Sequence, residues 1–272
     1  MGKIGEGSIA GGERTVTKLY VLRLGEVCLD QHAIAPGVAD GSRIHLPILG
    51  YLVERHNGEY VLIDTGMNQS HINSDLLGPV HGRPRASARV QDMVIRMRIE
   101  DYLPNQLASI GLKIEDIKHV INTHLHFDHA GNNILFPHAT FYVQREHYAL
   151  ALGSDTFPNE YWNQPNFKFE LIDGDRQLFP GIKVIQSPGH VAGHQSILVE
   201  LEKSGSKMIC GDAIFNSVQL ASGVWTSHAN PDEAQRSSER LIKVAEGLGA
   251  ELFFGHDPIQ GANLLKLPLF YE

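Results

Sequence analysis

Three histidines and an aspartate fall within six residues of the stretch THLHFDHAG: His124, His126, Asp128 and His129. A solvated surface has no need of clustered imidazoles, and burying the carboxylate unpaired would cost several kcal/mol. A cation resolves both problems, because neutral imidazole nitrogens and carboxylate oxygens are ligands for divalent metals. The H-x-H-x-D-H spacing lets His124 and His126 converge on one point if they continue a strand, with Asp128 and His129 facing a second point beyond its end. Two cations about 3.5–4 Å apart would suit that arrangement.

Four side chains cannot complete two such sites, so further ligands are required downstream. Three apolar runs end in candidates: IKVIQSPGH in His190, KMICGD in Asp212 and ELFFGH in His256. Each has a glycine directly before it, as a close backbone approach would need. Taken singly, His190 or His256 reads as a hydrogen-bonded pocket histidine, and Asp212 as a cap or turn residue. Taken together they complete two sites. His124, His126 and His190 form one, Asp128, His129 and His256 the other, and Asp212 bridges them. His194 reads as support behind the ligands, and His32, His45, His71, His81, His119, His138, His147 and His228 as solvated or structural.

The elements that position these residues are short apolar runs with β-branched or aromatic content: 18–24, 48–54, 60–66, 119–124, 140–144, 182–189, 195–202, 207–212 and 251–256. A helix is expected over 230–249, with Asn230 as N-cap, Pro231 at the first position and Gly247 or Gly249 as the stop. Val90, Met93, Val94 and Met97 predict a second helix over 86–103. Strands with helices between and after them imply an α/β architecture of two packed sheets. Residues 1–14 read as a loose Gly-rich tail and 15–272 as a single domain.

Composition excludes several classes of function. The formal charge of −8 argues against a nucleic-acid partner. No run approaches a membrane span and the start lacks a secretory signal, so a cytoplasmic location is the default. Cys28 and Cys210 form no CxxC pair and read as buried core thiols.

From KLYVLRLGEVCLD to FFGHDPIQ the chain resembles the metallo-β-lactamase superfamily, and within it the quorum-quenching N-acyl homoserine lactone lactonases. LIDTG with Asp64, SPGHVAGHQS and FFGHD carry the resemblance to that branch; the ligand pattern alone is shared with glyoxalase II, arylsulfatase-like and nuclease branches. The resemblance implies a four-layered αβ/βα sandwich, two sheets face to face with helices outside, and metals at one edge. It places the family's ligands on His124, His126, Asp128, His129, His190, Asp212 and His256. It implies a metal-dependent hydrolase of carboxylic ester bonds that opens N-acyl homoserine lactones to the N-acyl homoserine. The alternative is hydrolysis of another lactone, ester or thioester on the same platform. Two cations would supply an ionised water as nucleophile, and Asp128 would carry a proton to the leaving ring oxygen. Zinc is the default metal, with Fe, Mn or Co equally suited to N/O ligands. The expected partner is a small-molecule lactone; a homodimer is among the open oligomeric states. Segments 29–47 and 67–100 are expected to shape selectivity, with Met67, Leu76, Leu77 and Val80 lining an acyl groove and Arg83, Arg85 and Arg89 on a solvated basic face, recognition of an acidic substrate being the alternative for these arginines. One departure stands out. Phe215 occupies the position of a family tyrosine, so it is a candidate apolar substrate contact that offers no hydrogen bond; plain core packing is the other reading.

Overall fold

Alternate residues along the strands enter different apolar layers, and that period of two defines the architecture. A computed structural model describes residues 16–31, 34, 42–72 and 93–272. The expected tail over 1–14 lies outside them. The larger sheet is built from β1 (Val16–Asp30), β2 (Arg43–Arg55), β3 (Tyr60–Ile63), β4 (Val94–Arg96), β5 (Ile117–Ile121), β6 (Thr140–Gln144) and β7 (Lys168–Ile172), in the order β4-β1-β2-β3-β5-β6-β7. The smaller contains β8 (Arg176–Phe179), β9 (Ile182–Gln186), β10 (Gln195–Val199), β11 (Lys207–Gly211) and β12 (Glu251–Phe254), ordered β12-β11-β10-β9-β8.

Leu19, Val21, Val61, Ile63 and Ile121 of the larger sheet meet Val184, Ile197, Val199 and Ile209 of the smaller in one shared core. Their neighbours Tyr20, Leu22, Leu62 and Val120 point the other way, into a layer with Leu103 and Leu107 of α1 (Leu103–Ala108). On the far side Leu198, Met208 and Cys210 pack against Leu241 and Ala245 of a long helix, α3 (Pro231–Leu248). The result is the helix–sheet–sheet–helix sandwich expected, and each fully buried Leu or Val in it contributes about 1.5–3 kcal/mol. Cys28 and Cys210 are buried and unpaired, as expected.

The helix α3 has the signals read in the sequence. Asn230 Oδ1 accepts the Glu233 N–H at 3.2 Å, Pro231 opens the first turn, and Gly249 closes it in the left-handed region at φ 61°. The expected helix over 86–103 is corrected. Residues 86–92, Val90 among them, lie outside the described residues, and Val94 begins a strand that pairs antiparallel with Glu26–Cys28. β-branched Val94 and Ile95 satisfy an open sheet edge there, and tertiary pairing outweighs a helical spacing. Strands β7 and β8 were not anticipated. Both are edge strands carrying charge (KFELI, RQLF), which weakens their apolar signal.

Pairing direction delivers the chemistry to one edge. β3 runs parallel to β5, β11 parallel to β12, and β9 and β11 are both antiparallel to β10. The carboxyl ends of all five strands therefore emerge on the same side, where the Asp64, Thr123–His129, His190, Asp212 and His256 segments begin.

Candidate metal centre

The HLHFDH segment is not an extension of its strand. β5 stops at Ile121, His124 lies in a loop, His126 is the N-cap of the one-turn helix α2 (Phe127–Ala130), and Asp128 and His129 lie within that helix. Convergence of the imidazoles comes from this loop-to-helix corner rather than from strand alternation. Gly131 has an ordinary φ of −61°. Its role is space, since a Cβ there would lie 2.6 Å from Asn68 N. At Gly189 and Gly211 the backbone does require glycine, with φ of 130° and 54°.

All seven expected ligands come together, in two groups. In the first, His126 Nδ1 lies 2.7 Å from His124 Nε2 and 3.1 Å from His190 Nε2, and Asp212 Oδ2 is 3.1 Å from His190 Nε2. In the second, Asp128 Oδ2 is 3.6 Å from His129 Nε2 and 3.7 Å from His256 Nε2. Asp212 turns its other oxygen, Oδ1, toward this second group, 3.2 Å from His129 Nε2 and 3.0 Å from His256 Nε2. His124, His126, His190 and Asp212, and separately Asp128, His129 and His256, are spaced so that each set could hold a metal ion.

The donor set fits a pair of divalent cations for a physical reason. His129 Nε2 and Asp212 Oδ1 are buried, 3.2 Å apart, and neither has a hydrogen-bond partner among the described residues. Atoms that approach without bonding share a third point. The opposite ring nitrogens explain why the facing ones are bare. His256 Nδ1 donates to the Pro47 carbonyl at 3.0 Å and His129 Nδ1 to Asp64 Oδ2 at 2.8 Å, leaving each Nε2 with its lone pair in the neutral ring. Thr123 Oγ1 donates to Asp64 Oδ2 at 2.7 Å and so accepts from His124 Nδ1 at 3.1 Å, which frees His124 Nε2. Asp64 also accepts the Thr123 N–H at 2.8 Å, and its φ of 57° ends β3 to place the carboxylate there.

Two further histidines brace the loops. His194 Nε2 accepts the Asp212 N–H at 3.0 Å while Nδ1 donates to Ser187 O at 3.1 Å, so it supports the carboxylate without joining either group. His147 Nε2 accepts the Leu125 N–H at 2.8 Å and its Nδ1 donates to Ala192 O at 3.0 Å, joining the His124–His126 loop to the one after His190. Both bonds of each pair need a neutral ring, and burial lowers both pKa values to about 3. Sequence reading grouped His147 with the solvated or structural histidines. Its position after a strand in QREHY carried no ligand-like signal.

Phe157 stacks on His126 at 4.9 Å. Phe215 is buried beside the centre, 5.3 Å from the His190 ring and 6.1 Å from that of His256, with His228 stacked on it at 4.7 Å. Like His147, His228 carries no ligand-like signal in the sequence. Met67, expected on an acyl groove, is fully buried in the core layer under β1. Leu76, Leu77, Val80, Arg83, Arg85 and Arg89 lie outside the described residues.

Electrostatics differ between the groups. Burial, with repulsion from neighbouring imidazoles, holds His124 well below the usual histidine range, and burial does the same to His190. Burial also opposes charge on His129 and His256. There the pull of Asp212 and Asp128, joined at His129 by Asp64, outweighs it and raises both. Asp212 feels the converse: burial favours its neutral form, but His256, His129 and His190 hold it ionised well below the carboxylate range.

Two face-to-face sheets with paired His/Asp groups at one edge define a class of metal-dependent hydrolases, and the Metallo-beta-lactamase superfamily model matches residues 45–256. The chain belongs to that superfamily. An N-acyl homoserine lactonase of Bacillus thuringiensis is 34% identical to it over 255 residues, 93% of this chain and 98% of that protein. The N-acyl homoserine lactonase AttM of Azorhizobium caulinodans is 29% identical over 275 residues, 95% of this chain and 100% of that one. A solved N-acyl homoserine lactone hydrolase, with the product N-hexanoyl-L-homoserine at its catalytic metal center, superposes with a TM-score of 0.85 at 31% identity, covering 94% of this chain and 100% of its own.

Proposed function

We propose that this protein hydrolyses the ester bond of N-acyl homoserine lactones, opening the ring to the N-acyl homoserine. The observation that carries the reading is the complete two-group centre around Asp212, set in a chain that matches a lactonase over 93% of its length. His124, His126, His190 and Asp212 would hold one divalent cation, and Asp128, His129, His256 and Asp212 the other. Zinc is the expected metal because a compact N/O set of this kind suits it, while Fe, Mn and Co remain compatible. When bound, the pair supplies an ionised water at neutral pH and polarises a carbonyl.

The chain's own groups do the rest. Asp128 keeps one oxygen at the centre and is the carboxylate positioned to hand a proton to the leaving ring oxygen. Phe215 presents an apolar face beside His190, excludes water from that wall and makes no hydrogen bond to the substrate. Asp64, His194 and His147 keep the ligand loops in register. Residues 15–272 act as one hydrolase domain, a reading supported by the core that both sheets share. Among the described residues no helix is long and apolar enough to cross a membrane, and we place the enzyme in the cytoplasm.

Acid release from acyl-homoserine lactones, simple γ- and δ-lactones and a glutathione thioester tests the assignment. Acyl-homoserine lactones should be the preferred substrates, and turnover in ¹⁸O-water should label the product carboxylate. Preference for the thioester, or label in the alcohol, would overturn it.

A further inference from the structure

Behind Phe215 lies an imidazole whose proton can be located from its neighbours. His228 is only 5% exposed. The Phe215 N–H donates to Gln219 Oε1 at 2.9 Å, which fixes the orientation of the Gln219 amide, and its Nε2 stands 2.7 Å from His228 Nε2. An amide nitrogen only donates, so His228 Nε2 accepts and the ring proton sits on Nδ1. The Nδ1–H is buried and meets no acceptor among the described residues.

The ring cannot easily turn to find one. Phe215 stacks on it at 4.7 Å and 10°, Trp225 packs at 5.7 Å, and His190 stands edge-on at 5.5 Å and 87°. A donor so held, next to a ligand-group histidine, calls for an acceptor that the described residues do not supply. In an acyl-homoserine lactone both ester oxygens belong to the reacting bond. The strongest remaining acceptor is the acyl-amide carbonyl, joined through its nitrogen to the carbon beside the ester carbonyl and so only a few bonds from the reacting ester. Phe215 has no polar atom to offer it.

We propose that His228 Nδ1–H is a specificity-determining donor to the acyl-amide carbonyl of the substrate. The inference rests on the lactonase reading above and assigns to His228 the selection of acyl-homoserine lactones over lactones without an amide.

The test uses metal-loaded protein and its His228→Phe and His228→Asn variants, with metal content checked in each. N-hexanoyl homoserine lactone is compared with an amide-free γ-lactone of similar size, and binding of ring-opened N-hexanoyl homoserine is followed by calorimetry. In His228→Phe the ratio of the two kcat/KM values should fall about tenfold, through KM, with product affinity falling in parallel. Asparagine places an N–H where Nδ1–H stood, so His228→Asn should recover most of the ratio. An unmoved ratio in His228→Phe, as when an ordered water satisfies the donor, overturns the proposal, as does equal loss on both lactones. If the unaltered protein ignores acyl-homoserine lactones altogether, the functional reading fails, an outcome distinct from an active protein whose ratio does not respond to His228.

Discussion

The two halves of the centre share one carboxylate and differ in where their protons reside. Around Asp212 Oδ2 the histidines His124, His126 and His190 are all held below the usual range, chiefly by burial. They stand as bare nitrogens. Around Asp212 Oδ1 burial is outweighed by carboxylate charge: His129 is raised by Asp212, Asp128 and Asp64, and His256 by Asp212 and Asp128. Protons there compensate carboxylate charge until a cation displaces them. One half is thus preorganised by desolvation and the other by charge, so perturbations should separate them.

Removing the shared group should have the largest effect. Asp212→Ala takes an oxygen from both halves and should lower kcat/KM by on the order of 10³ and metal content well below two per chain. Full metal loading by elemental analysis would refute the bridge. Single-half lesions come next: His190→Ala and His256→Ala should each leave one equivalent per chain, with activity down by about 10²-fold. If either variant lost both metals, the halves would not be separable. A subtler break is Asp64→Asn, which tolerates the left-handed backbone but removes the charge on His129 Nδ1. Metal affinity should fall about 10–100-fold in the second half only, as read by chelator competition.

Acidity should distinguish the halves without mutation. His129 and His256 have raised pKa values, so they keep protons at a pH where an ordinary histidine has lost them, and a cation must displace those protons. As pH falls through the raised values, affinity at the second half should weaken by about tenfold per unit for each proton displaced. The first half, whose histidines are lowered, should hold its metal to a more acidic pH. Simultaneous loss of both equivalents in an acid titration would contradict the contrast. The smallest effect is expected at the wall both halves share: Phe215→Tyr adds one hydroxyl near His190 and His256 and should change kcat/KM by no more than about tenfold. Steady-state kinetics check it, and a uniform loss with lowered thermal stability would make Phe215 a packing residue only.

The residues of the two candidate metal-holding groups were legible in the sequence because metal chemistry restricts residue types and spacing: four candidates in six residues, then one at the end of each of three apolar runs. The strand pattern was legible for the same kind of reason, since burial on both faces of a central strand leaves a continuous apolar signature. Edge strands β4, β7 and β8 were not, because one side has no partner and their residues answer to solvent as much as to the core.

What only the tertiary structure decided is how each ligand is used. His256 presents Nε2 because its Nδ1 is bound to Pro47, 209 positions away, and His129 because Asp64, 65 positions away, accepts its other proton. His126 alone turns Nδ1 inward, with Phe157 stacked on its ring. His147 and His228 look like any other histidine in the chain until folding places one between two ligand loops and the other behind Phe215. A residue's type and local spacing are written in the chain, whereas the tautomer of an imidazole is set by whichever donor or acceptor the fold brings to its second nitrogen.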